Sequence, residues 1–190
     1  MRAGQVSCQF GRVQPPASLS SAVRPLHLIA FMATQKAIAQ FLRLALRFRL
    51  ADTGAIERWV DSVIAAQPVV RFPFTDLAGS SKLRPETVDE LLGQVTGTAD
   101  DFLPGHLLLG LLRRRLLEGD LAPETAIKLV LEAGRSGALT EKENYKADHL
   151  DDSVWLATND TYGTLDEVRR DIAEFFERYA VYDEQIPTVV

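Results

Sequence analysis

The chain has 190 residues, 46% of them hydrophobic and 25% charged, with a net charge of −5. That make-up describes one ordinary globular domain with a buried core, not a disordered chain or a set of membrane spans. A single cysteine, Cys8, excludes an intramolecular disulfide and a thiolate metal cage, and fits a reducing, cytoplasmic location.

Residues 1–31 contain no acid, scattered Arg and Ser, a Pro-Pro pair and no amphipathic period. They read as a leader outside the fold, with Met32 as the true start and the domain running over 32–190. An organellar transit peptide and a secretory signal are the alternatives, the latter weakened by a short apolar run far from the first residue.

From Met32 onward the sequence predicts helix after helix. Ile38, Phe41, Leu42 and Ala45 fall at i, i+3, i+4 and i+7, and Ile56, Trp59, Val60, Val63 and Ile64 repeat the stripe. "VVRF" at 69–72, between Pro68 and Pro73, reads as an extended connection and not a strand. Val88, Leu91, Leu92 and Val95 make a third stripe; Val168, Ile172, Phe175, Phe176 and Tyr179 make a fourth. Pro85 and Pro123 suit first helical positions, and "TEKE" (140–143) and "TLDE" (164–167) suit capping boxes. Gly97, Gly119 and Gly134 are expected to cap helix C-termini in the left-handed region. "TNDTYG" at 158–163 reads as a turn. The fold class is therefore all-α: a single multi-helix domain of about seven or eight helices, a bundle or short stacked hairpins. "LRPETVDELL" (83–92) and "LAPETAIKLV" (121–130) echo one another. "LADTGAIERW" (50–59) fits more loosely, and three loose copies at uneven spacing favour a shared helix-start pattern over a true repeat.

"LLLGLLRRRLLEGDL", residues 107–121, is the loudest stretch. Its uncharged run is too short for a bilayer, which needs about twenty residues. Arg113, Arg114 and Arg115 fan over about 200° of a helix, so they do not all face one phosphate. The segment reads as a central helix, buried on most sides, whose arginines mark its emergence and complement its C-terminal dipole. Gly110 is placed to let a neighbour approach closely.

No Gly-rich phosphate loop, G-x-S-x-G elbow or H-E-x-x-H motif is present, and no catalytic residue, metal or cofactor is assigned. His106 reads as a packed or capping residue. His149, with Asp148, Asp151 and Asp152 around it, carries the alternative reading of a metal-dependent or hydrolytic enzyme or regulator. Charge supplies the leading one. Residues 140–190 hold five Lys/Arg against thirteen Asp/Glu, a net −8. Nucleic-acid binding needs a clustered basic face, so nucleic acid is excluded as a partner. The acidic C-terminal helices, with aromatics between the acids, fit a protein partner of basic character. Asp151, Asp152, Trp155, Asp171, Glu174 and Glu177 are the residues expected to meet it.

"FRLADTGAIERWVDSVIAA" (48–66), followed by a Pro-containing turn and "FTDLAGSSK", resembles small all-helical bacterial proteins whose helix reads roughly x-x-x-W-[AV]-D-x-[VIL]-I. Some such families are immunity proteins encoded beside toxins. The likeness covers about thirty residues and rests on the core positions Trp59, Val60, Val63 and Ile64, with Asp61 the one polar match. It carries over no functional residue. It implies a protein that binds and occludes a toxin and catalyses nothing.

Overall fold

The computed structural model describes residues 33–188 and 190. The reading of residues 1–31 as a leader lies outside them. Eight α-helices occur among the described residues: α1 (Gln35–Arg47), α2 (Thr53–Ala65), α3 (Phe74–Leu77), α4 (Pro85–Gly93), α5 (Leu103–Glu118), α6 (Pro123–Arg135), α7 (Glu141–Thr158) and α8 (Leu165–Glu177). Two 3-10 segments, Ser80–Lys82 and Ala180–Gln185, complete them, with no strand among the described residues.

Local chemistry sets the boundaries. Pro85 and Pro123 stand in the first turns of α4 and α6, where a missing N–H costs nothing. Thr140 and Thr164 each accept the N–H three residues on, while Glu143 and Glu167 reach back to the threonine backbone. Both expected capping boxes are therefore formed. Asp100 Oδ1 accepts the N–H groups of Phe102 and Leu103 and so closes the start of α5. Residues 69–72 connect α2 to α3 without a strand, as expected.

The glycine expectations divide. Gly119 ends α5 at φ 79 in the left-handed region. Gly134 does not cap: it lies inside α6, whose C-cap is Ser136, and Gly137 takes the left-handed φ of 78. Gly97 lies beyond Gln94, the C-cap of α4, at φ 133. At Gly134 the reason is packing, since a Cβ there would meet the Asn144 side chain of α7.

All four amphipathic stripes face one core. Phe41, Leu42, Ile56, Val60, Val88, Leu92, Ile172, Phe175 and Phe176 belong to it, each at most 1% exposed. The centre is α5, where Leu107, Leu108, Leu109, Leu111 and Leu112 are all fully buried. Burying a leucine contributes about 2 kcal/mol, against a few tenths for a surface ion pair. Core formation therefore dominates what this helix does. It packs against α1, α6, α8 and the 3-10 segment Ala180–Gln185. Around it α1 pairs with α4, α2 with α3, α6 with α7, and α7 with α8. Gly110 sits under the C-terminal segment, within 3.4 Å or less of Ile186, Tyr182 and the Tyr179 carbonyl for an added Cβ.

Candidate functional site

The acidic helices α7 and α8 form the candidate surface. On α7, Ala147, Leu150 and Ala157 face the core. The opposite side carries Tyr145, Asp148, Asp152 and Trp155, all exposed. At 100° per residue these four lie within an arc of about 80°. Trp155 is 64% exposed and Tyr145 75% exposed. An indole left this open is unusual, because most tryptophans bury the bulk of their surface. Tyr162, in the turn after α7, is 79% exposed. Asp151 is half-buried at the edge of the stripe.

On α8, Asp171 and Glu174 are exposed and have no ion pair among the described residues. Glu177 is different. It accepts Arg113 Nη2 of α5 at 3.0 Å, and the same guanidinium reaches Asp183 at 2.9 Å. Arg114 donates to the Asp183 carbonyl at 2.8 Å. Arg113 and Arg114 thus meet this chain's own acidic C-terminal segment, while Arg115 pairs with Asp120, and Glu177 is spent internally.

His149 is exposed on α7, where Ser153 Oγ donates to its carbonyl oxygen. Among the described residues no group of three or more His, Cys, Asp or Glu side chains is arranged to hold a metal ion. The alternative reading finds no such site at His149.

One polar cluster escapes a reading of the sequence. His106 Nε2 lies 2.9 Å from Glu143 Oε1, and the Tyr179 hydroxyl donates to the same oxygen at 2.8 Å. Glu143 Oε2 accepts both the Thr140 N–H and its hydroxyl at 2.8 Å. Burial pushes the Glu143 carboxyl up, but hydrogen bonds from His106, Thr140 and Tyr179 outweigh that and hold it down at about 2. On the other edge of the His106 ring, Nδ1 lies 3.2 Å from the Tyr182 hydroxyl. The order phenol–imidazole–carboxylate has the connectivity of a nucleophile relay. Burial, and then the nearby Glu143 and Asp100 charges, raise the Tyr182 phenol above its ordinary range. The cluster ties α5, α7 and the C-terminal segment together. Only the capping glutamate was visible beforehand; its partners lie in distant segments that no motif links.

Two grooves open on the N-terminal side. The larger, about 880 Å³, lies between the end of α1, its connection to α2, and the start of α4. The smaller, about 290 Å³, lies between α1, the start of α5 and the turn after α6. Neither is lined by His106, Glu143, Tyr179 or Tyr182. Among the described residues no helix is long and apolar enough to cross a membrane. No protein-family model, curated protein or solved structure matches the chain.

Proposed function

We propose that this chain is a non-catalytic protein-binding domain that engages a basic partner through the acidic, aromatic surface of α7 and α8. In its finer form the reading is an immunity-type inhibitor, acting in the cytoplasm, that occludes a basic toxin. The observation that carries it is the α7 stripe, where Tyr145 and Trp155 stand exposed on either side of Asp148 and Asp152. Exposed aromatics supply the anchors of interfaces, and surrounding acids steer a positive surface onto them.

The test is binding to the basic protein encoded next to this chain's own gene, measured by surface plasmon resonance. Trp155→Ala is expected to weaken affinity roughly thirtyfold, the loss of one anchor side chain worth about 2 kcal/mol. Asp171→Lys with Glu174→Lys is expected to slow association and to flatten its salt dependence. Glu177 is left intact in that variant because it holds Arg113. Binding that ignores both salt and the charge reversal would sink the electrostatic reading.

A further inference from the structure

The echo between 83–92 and 121–130 lets two helix starts be compared. Both α4 and α6 open on proline followed by glutamate. On α6 that glutamate, Glu124, accepts Arg169 Nε of α8 at 2.8 Å. Four residues on stands Lys128, the opposite charge at a favourable spacing. On α4 the same two positions are Glu86 and Glu90, both exposed and neither in an ion pair among the described residues. Like charges at i, i+4 repel. Glu124 thus has Lys128 of its own helix and Arg169 of α8 to offset it, whereas Glu86 and Glu90 have no ion pair among the described residues.

Both carboxylates line the larger groove. Its other wall carries Arg47 and Arg49, exposed and likewise without an ion pair among the described residues. Arg49 holds a left-handed backbone at φ 59 where it closes α1, its N–H donating to the Leu46 carbonyl and the Leu50 N–H to the Ala45 carbonyl. Two further carboxylates line the groove: Asp89 is neutralised by Arg43 at 2.8 Å, and Asp52, beside the arginines, accepts the Ala55 N–H as the N-cap of α2. Leu46, Leu50 and Pro85 add apolar surface between the charged walls. A purely cationic or purely anionic ligand would meet one attractive wall and one repulsive wall.

We propose that this groove binds a short dipolar peptide segment of a partner protein. A basic side chain lies against Glu86 and Glu90, a neighbouring carboxylate lies against Arg47 and Arg49, and an apolar side chain rests between. A volume near 900 Å³ is within the range of small-ligand sites and suits a short segment, not a folded surface. The inference stands apart from the α7–α8 surface and does not depend on it.

The test is a nuclear magnetic resonance titration of the whole chain with a blocked tetrapeptide, Leu-Arg-Leu-Asp. Controls replace Arg by Gln, Asp by Asn, or both. The dipolar peptide is expected to shift amide signals from residues 46–53 and 85–90, with affinity lowered about tenfold or more by each single-charge control. Glu86→Gln with Glu90→Gln, and Arg47→Gln with Arg49→Gln, are expected to weaken binding to a similar extent. Glu90→Lys copies the arrangement of α6; it is expected to abolish binding while raising the thermal midpoint of the free protein. All four side chains are exposed, so the variants are expected to fold, which circular dichroism checks. Equal binding of the uncharged peptide, shifts confined to other helices, or no response at millimolar peptide would overturn the proposal.

Discussion

Glu143 shows how one side chain can serve several segments. Its two oxygens divide the work: Oε2 closes the start of α7 through Thr140, and Oε1 receives His106 from α5 and Tyr179 from the end of α8. A carboxylate 9% exposed is tolerable only because each oxygen is met by two donors. Tyr179→Phe keeps the ring in the core and removes one donor. It is expected to cost about 2 kcal/mol, the value of a buried hydrogen bond to a charged group, read as a lower urea midpoint at unchanged m-value. At this scale the sequence was half legible. The Thr140–Glu143 box follows from spacing alone, because its partners are three residues apart. Tyr179 lies 36 positions from Glu143, and its place in an apolar stripe marked it for the core without showing where its hydroxyl goes.

Among the helices, close approach decides which glycines matter. A Cβ on Gly105 would run into the backbone carbonyl of Ala138 and lie 2.8 Å from Leu139 Cδ2. Backbone does not yield as a side chain does. Gly105→Ala is therefore expected to destabilise by about 3 kcal/mol or more, through displacement of α5 from the turn before α7. Gly119→Ala meets open space and pays only for its left-handed backbone, about 1 kcal/mol. Guanidinium denaturation of the two variants side by side is expected to show that order; the reverse would mean that the approach at Gly105 is loose. Helix positions were legible because apolar period, proline starts and capping boxes agree with one another. The role of Gly134 was not. A glycine after a helical run looks the same whether it caps that helix or admits Asn144 from the next one.

For the molecule as a whole, acid is the informative perturbant. The Glu143 carboxyl sits at about 2 when folded and at an ordinary 4.5 when unfolded. The stability it contributes is complete above pH 4.5 and is lost as the pH falls towards 2. The two limits differ by about 3 kcal/mol. Thermal melts between pH 6 and 2.5 are expected to lose stability most steeply below 4.5. Glu143→Gln is expected to flatten that fall, and an unchanged slope would remove Glu143 as its source. The all-α architecture was readable in advance, because repeated 3.6-residue stripes leave little else to build. The acidic surface was readable as charge but not as geometry. Sequence alone did not separate Glu177, which Arg113 holds, from Asp171 and Glu174, which stay open to solvent.

The C-terminal clasp on α5 also bears on how the protein is made. The leucine-rich helix is covered at Gly110 by Tyr179, Tyr182 and Ile186, and Arg113 waits for Asp183, 70 positions further along the chain. During synthesis at about 5–20 residues per second, α5 leaves the ribosome several seconds before its cover exists. For that interval its apolar side lies open to other nascent chains and to chaperones. Residues translated some 70 positions later are the ones that put the greasiest helix out of reach.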